Sequence, residues 1–78
     1  MNNREILVYN LKLLRVAHEL RQQELSFALG FRTNRINQIE TQPRIKVTEE
    51  EVDMIAHYFK VDPILLTTVR MSVVFNTV

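Results

Sequence analysis

The sequence predicts an all-α fold, a compact bundle of about five short helices that ends in a short β-strand. Apolar residues recur at helical spacing through most of the 78 residues, and helix-breaking residues are rare, with one glycine and two prolines. From residue 69 the apolar period shortens to two, which is typical of a strand. We therefore divide the chain into a helical domain, residues 1–68, and a C-terminal segment, residues 69–78.

The composition indicates one small globular domain and excludes several classes of protein. Hydrophobic residues make up 46% and charged residues 24%, which argues against disorder, and no apolar run approaches the about 20 residues that span a bilayer. The chain has no cysteine and two histidines, so we expect no disulfide, no metal site and no cofactor. The first residues lack the pattern of a signal peptide, and we expect a cytoplasmic protein without a membrane partner.

Residues 3–20 are predicted to form the first helix. Asn3 is suited to the N-cap position. An apolar stripe follows at helical spacing through Leu7, Leu11 and Leu14 and continues at Ala17 or His18. Further apolar residues lie beside that stripe, which indicates that the helix contacts more than one neighbour. They are Ile6, Val8, Leu13 and Val16.

Residues 22–29 and 33–40 are predicted to form two shorter helices, each with apolar residues on one face. Gly30 lies between them. A sharp turn between helices favours a left-handed backbone conformation, which glycine adopts without steric penalty. Together these features predict a helix-turn-helix. The inward residues are Leu25, Ala28, Leu29, Ile36 and Ile39.

The last two helices carry clear start signals. Pro43 disfavours helix at the residue before it and therefore ends the third helix. Thr48 and Glu51 have the spacing of a capping box, in which each side chain bonds the other's backbone amide, and the helix continues to about residue 59. Asp62 places a capping acid before Pro63, which predicts a fifth helix.

The C-terminal segment is predicted to form a strand that pairs with another chain. Its alternating apolar residues are Val69, Met71, Val73 and Phe75. A single strand needs a partner for its backbone groups, so we expect it to pair with the same strand of a second copy across a twofold axis. The alternatives are a tail that packs on its own helices or is disordered in solution, and a strand that joins the sheet of another protein.

A set of residues over positions 11–67 matches one known pattern as a whole. The sequence contains Leu14-Arg15, Gln22, Glu24-Leu25-Ser26, Leu29-Gly30-Phe31 and Ile36-Asn37-Gln38-Ile39-Glu40, followed by Val52, Ile55, Ala56, Phe59, Val61 and Leu65. This pattern resembles the lambda repressor/Cro-type helix-turn-helix domain of the XRE family. The resemblance implies a DNA-binding regulator, bacterial or phage-encoded.

The chain departs from that family at several caps and turns. Arg21 and Arg32 stand where the family has Ser or Thr before the second and third helices, which weakens each cap by about 1 kcal/mol unless another group substitutes. Ser26 replaces the usual alanine. Thr41-Gln42 and Lys60 stand where the family commonly has glycine. These departures concern the loops and not the fold.

The third helix has a polar outward face that is suited to base edges. Amide side chains match the donor and acceptor of adenine, a threonine methyl group can contact thymine, and arginine binds guanine or phosphate. The alternative is a solvated polar face without a partner. The residues on this face are Thr33, Asn34, Asn37 and Gln38, flanked by Arg32 and Arg35.

Other residues are candidates for phosphate contacts and for positioning. The resemblance assigns Gln22, at the start of the second helix, to a DNA phosphate, which a helix N-terminus favours. Arg44 and Lys46 follow the third helix and are further phosphate candidates. The resemblance also implies an ion pair between Arg15 and Glu40 that ties the first helix to the third.

These observations lead to two functional hypotheses. The first is a transcriptional regulator, expected to be a repressor, whose homodimer reads double-stranded DNA in the major groove on an approximately palindromic operator. The second is an interaction module of the same fold, antitoxin-like or a subunit of a complex, that binds a regulatory protein partner with weak or no DNA binding. An enzyme is not expected, because the sequence has no nucleophile–base set and no glycine-rich phosphate loop.

The charge distribution bears on both hypotheses. The net charge of +1 is low for a nucleic-acid binder, which favours the interaction module slightly. Bases nevertheless dominate residues 32–46 and acids dominate residues 49–53. A local positive surface is therefore expected on a nearly neutral molecule, and such a surface is sufficient for phosphate contact.

Overall fold

The computed structural model describes residues 3–72, and within them the chain forms five α-helices. They are α1 (Asn3–Ala17), α2 (Gln22–Ala28), α3 (Arg35–Thr41), α4 (Glu49–Phe59) and α5 (Pro63–Thr68). The predicted all-α bundle with a helix-turn-helix is confirmed. None of the described helices is long and apolar enough to cross a membrane.

The core lies where the five helices meet. α1 packs against both α3 and α5, which agrees with its wide apolar arc, while α2 packs against α3 and α4 against α5. Full burial of an aliphatic side chain stabilises a fold by about 1.5–3 kcal/mol. Two core isoleucines belong to α3, so the core decides which face of α3 is turned to solvent. The completely buried aliphatic side chains are Leu11, Leu25, Ile36, Ile39, Ile55 and Leu66.

The predicted start signals of α4 and α5 are confirmed. Glu51 N donates to the Thr48 hydroxyl at 3.1 Å, and Thr48 N donates to the Glu51 carboxylate at 3.0 Å. Ile64 N donates to the Asp62 carboxylate at 2.8 Å, and Pro63 is the first residue of α5. Both helices therefore begin where the sequence places them.

Three helices end in the same left-handed turn. The residue with positive φ is Glu19 after α1 (57°), Gly30 after α2 (72°) and Lys60 after α4 (57°). Glycine adopts this conformation freely, whereas the other two residues do so at a cost of about 1 kcal/mol each. The turn at Glu19 ends α1 at Ala17 and not at residue 20 as predicted. In each turn one amide donates to the carbonyl five residues before it, from Leu20 to Arg15, from Phe31 to Ser26 and from Val61 to Ala56.

α3 begins at Arg35 and not at residue 33, so the predicted start of this helix is wrong by two positions. Thr33 and Asn34 form a turn before the helix, in which Arg35 N donates to Arg32 O at 3.0 Å. Asn34 occupies the N-cap position, but its side chain makes no capping hydrogen bond. The Asn34 side chain therefore does not hold the first turn of α3.

Other groups replace the caps that α2 and α3 lack. The completely buried Ser26 of α2 accepts a hydrogen bond from Ile36 N of α3 at 3.1 Å through its hydroxyl oxygen. At α2, Arg21 N donates to the Glu24 carboxylate at 2.8 Å, although the Arg21 side chain caps nothing. The acceptor that the first turn of α3 lacks at its N-cap is thus supplied by the neighbouring helix.

The described part of the C-terminal segment follows α5 without forming a strand. Val69 is the C-cap residue of α5, and Met71 packs against the core. Asn10 of α1 holds both of them, since its Nδ2 donates to Val69 O and its Oδ1 accepts from Met71 N, each at 2.8 Å. Val73 and Phe75 lie outside the described residues, so the strand and its pairing remain predictions.

Candidate nucleic-acid interface

The residues predicted to read bases lie at the N-terminal half of α3 and in the turn before it. Arg32, Thr33 and Asn34 are exposed in the turn. Asn37 is exposed on α3, and Gln38 beside it is half-buried. Solvent therefore reaches a continuous set of amide, hydroxyl and guanidinium groups, the side chains that make hydrogen bonds to base edges in the major groove.

The residues predicted to bind phosphate lie on either side of this set. Arg44 and Lys46 are exposed in the loop between α3 and α4. Gln22 is half-buried as the first residue of α2. The candidate interface thus combines a polar helix with flanking basic residues. In such an arrangement, contacts to DNA phosphates position the helix that contacts the nucleobases.

A buried ion pair joins α1 to α3 beneath this surface. Arg15 Nε lies 2.7 Å from Glu40 Oε2, and Arg15 Nη2 lies 3.0 Å from Glu40 Oε1. The side chain of Glu40 is only 1% exposed, so the pair is nearly desolvated. A bidentate arginine–carboxylate pair fixes orientation as well as distance, and it therefore sets the rotation of α3 relative to α1.

The ion pair continues to the surface through two amide side chains. Gln22 Nε2 donates to Glu40 Oε1 at 3.0 Å, and Asn37 Nδ2 donates to Gln22 Oε1 at 2.9 Å. The hydrogen-bonded chain from Arg15 to Asn37 therefore runs from α1 through the core side of α3 and α2 to the exposed face. Asn37 uses one amide hydrogen in this chain and keeps its second amide hydrogen for a ligand.

Arg35 has a different environment from the other basic side chains of the candidate interface. Its Nε lies 2.5 Å from Glu51 Oε2, and its Nη2 donates to Glu51 Oε1 and to Lys46 O, both at 2.7 Å. The hydrogen bond from Arg35 holds the pKa of Glu51 below its usual range, and the same bond raises the pKa of Arg35. In this structure Arg35 ties α3 to the start of α4, whereas the other arginine of the set, Arg32, is exposed.

Sequence reasoning missed the side chains that bond distant backbone groups. Arg4 of α1 donates to carbonyl groups at the end of α3 and in the loop after it. Ser26 accepts from the first turn of α3, and Asn10 holds the end of α5. Periodicity gives no signal for such contacts because every residue carries the same backbone groups. Only the buried position of Asn10 within the α1 stripe could have indicated one.

Comparison with known families identifies the central part of the chain. A family model described as "Helix-turn-helix" matches residues 11–66. The matched range runs from α1 to α5 and contains both members of the buried ion pair and all the exposed residues of the candidate interface. Among curated proteins and solved structures, none matches the chain.

Proposed function

This chain belongs to the helix-turn-helix family of the XRE, Cro and C1 type, a family of DNA-binding regulators, and from that premise we propose that it is a sequence-specific transcriptional repressor. In this proposal a homodimer places its α3 helices in successive major grooves of an approximately palindromic operator. The observation that carries the proposal is the hydrogen-bonded chain from Arg15 to Asn37, because it holds the exposed face of α3 in one orientation on the core.

The roles of the exposed residues follow from their chemistry. Asn34, Asn37 and Gln38 contact adenine edges, and Thr33 contacts a thymine methyl group. Arg32 binds guanine or phosphate from the turn before α3. The remaining contacts, to phosphates, position the helix without reading sequence. They come from Gln22, Arg44 and Lys46. Arg35 could contribute only by leaving its ion pair with Glu51.

Self-association is supported by apolar residues at the end of the described chain. Ile64, Leu65 and Val69 are exposed although they belong to the last helix and its cap. Contiguous exposed apolar patches mark sites of protein–protein contact, and these three residues are close together in sequence. The proposed function requires that a twofold dimer built there, with or without the predicted strand, hold its two α3 helices about 34 Å apart, one turn of DNA.

The test is selection from a pool of random duplexes by the full chain, followed by binding to the selected duplex over a series of salt concentrations. We expect an approximately palindromic sequence, and an affinity that falls steeply with salt because phosphate contacts release counterions. Gln38→Ala should weaken binding by about 1–3 kcal/mol and relax the preference at particular base pairs. Gln23→Ala is the matched control, since Gln23 is an exposed glutamine of α2 outside the candidate set.

One observation favours the alternative function, a protein-interaction module. Phe27 on α2 is 88% exposed, which is unusual for a large aromatic side chain in a small domain. If selection enriches no duplex while light scattering still finds a dimer, the DNA-binding proposal is wrong. The surface around Phe27 would then be the first place to look for a protein partner.

A further inference from the structure

Arg4, in the first turn of α1, joins three backbone carbonyl groups that lie far away in sequence. Its Nη2 donates to Ile39 O and Gln42 O, both at 2.9 Å, and its Nη1 donates to Ile45 O at 2.8 Å. Ile39 is in the last turn of α3, where carbonyl groups have no partner within the helix. The C-terminal end of a helix also carries partial negative charge, which favours a cation there. We name this set of contacts the Arg4 clasp.

The Arg4 clasp reaches the loop that carries two exposed basic residues, Arg44 and Lys46. Ile45 stands between Arg44 and Lys46, and its carbonyl is one of the three acceptors. The backbone of the same loop is held from the other side, since Lys46 O accepts from Arg35. The loop is thus fixed between a guanidinium of α1 and a guanidinium of α3.

The local environment of Arg4 indicates a role other than maximal stability. Its Nε is buried without a hydrogen-bond partner. Burial and the nearby charge of Arg35 both lower the pKa of Arg4. A partly buried cation beside a second cation is an unfavourable arrangement, and an apolar side chain would avoid it. What the guanidinium supplies is geometry, because its planar fork reaches several acceptors at once.

We propose that Arg4 is a positioning residue that holds the loop at residues 42–46 against the end of α3, so that Arg44 and Lys46 meet the DNA backbone while α3 lies in the groove. This inference rests on the proposed DNA-binding function and adds a residue outside the matched family range. Because of the clasp, the distance between the base-reading helix and the phosphate-binding loop is already set before DNA binds. Binding then requires no ordering of the loop, whose cost would otherwise reduce affinity.

The experiment uses the full chain and two variants, Arg4→Lys and Arg4→Ala. Lysine keeps the charge and the long stem but cannot span three carbonyl groups, so it remains informative if the alanine variant fails to fold. Lys12→Ala is the matched control for Arg4→Ala, because Lys12 is an exposed cation of the same helix outside the clasp. Amide hydrogen exchange is measured without DNA, and binding to the selected duplex is measured across salt concentrations.

Both Arg4 variants should raise exchange at the Ile45 amide at least tenfold, because its hydrogen bond to Gln42 O lies within the loop that the clasp holds, with exchange in α2 and α4 unchanged. The salt slope of binding should fall by about 0.9 for each phosphate contact that is lost. In the Arg4→Ala background, Arg44→Ala should weaken binding less than it does in the wild type. The Lys12→Ala control should change none of these quantities beyond the small effect of losing one surface charge.

The outcomes separate the clasp from the proposed function. Two outcomes would overturn the positioning role. One is that amide exchange in the loop stays unchanged in the Arg4 variants. The other is that exchange becomes faster while the salt slope stays the same and the effects of Arg4→Ala and Arg44→Ala on binding are additive. If the wild type binds no duplex, the DNA-binding function fails, and with it the purpose assigned to the clasp. The exchange measurement, made without DNA, distinguishes that failure from a clasp that does not hold the loop.

Discussion

Replacing Asn10 by leucine should remove a large part of the stability of this domain. Asn10 is completely buried on α1, and it makes three hydrogen bonds to the end of α5 and the residues that follow. Its Nδ2 donates to Leu66 O and Val69 O, and its Oδ1 accepts from Met71 N, all at 2.8 Å. Both amide hydrogens and the oxygen are therefore used. Leucine has the same branched arrangement of side-chain heavy atoms, so the substitution removes the hydrogen bonds without opening a cavity.

The magnitude follows from these three bonds. Each intramolecular hydrogen bond contributes about 1 kcal/mol net, and a buried acceptor left without a partner costs about 1–3 kcal/mol. Leu66 is buried, whereas Val69 is exposed and its carbonyl can bind water. We expect a loss of about 3–4 kcal/mol, against a total of about 4–12 kcal/mol for a domain of this length. The melting temperature should fall by about 15–25 °C.

The assay is urea unfolding followed by circular dichroism, with Lys12→Leu as control. Lys12 is exposed on the same helix, and its replacement should change the free energy of unfolding by no more than about 0.5 kcal/mol. Asn10→Asp adds a second test, because a carboxylate can accept from Met71 N but cannot donate to the two carbonyl groups. A loss below about 1 kcal/mol for Asn10→Leu would refute the reasoning, since it would mean that the three bonds have no net value in the folded state.

Three further predictions concern the ion pairs and the turns. Glu40→Gln leaves the arginine of the buried ion pair without its counter-charge and should cost about 3 kcal/mol in urea unfolding, while the exposed Glu50→Gln should cost almost nothing; equal losses would contradict the assignment. Lys60→Gly should raise the free energy of unfolding by about 0.5–1 kcal/mol by removing the left-handed penalty, and an equal gain for Lys60→Ala would show that the backbone is not the cause. Because Arg35 lowers the pKa of Glu51 in the folded state, the stabilisation is complete above the unfolded pKa of about 4.3 and is lost as the pH falls through the lower folded pKa. The difference in unfolding free energy between wild type and Glu51→Gln should therefore shrink between pH 7 and pH 3, and a constant difference would be evidence against this linkage.

The parts of the fold that the sequence predicts are those whose signals are local. The capping box of Thr48 and Glu51 lies within four consecutive residues, and Gly30 marks its turn by residue type. Glu19 and Lys60 adopt the same left-handed conformation as Gly30, but neither residue type indicates it. This explains why α1 ends earlier than its apolar pattern predicts, since the turn is imposed by packing and not by the preference of the residue.

In the candidate site, too, only the features with a local sequence signal could be predicted. Its exposed residues could be predicted from helical spacing and side-chain chemistry, and the resemblance supplied the pairing of Arg15 with Glu40. The clasp made by Arg4 could not be predicted, because its acceptors are carbonyl groups, which are present at every position. The pairing of Arg35 with Glu51 has no local signal either, since it depends on how α4 packs beside α3.

The hydroxyl of Ser26 has a consequence for how this protein could acquire new targets. Where a cap residue must stand directly before a recognition helix, that position is constrained by stability and cannot vary freely. Here the Ser26 hydroxyl of α2 bonds the first turn of α3, and the Asn34 side chain makes no capping hydrogen bond. Under the proposed function, substitutions of the side chains of residues 32–34 should change which DNA is bound at little cost to folding, which makes this triplet the place to redirect the protein to a different sequence.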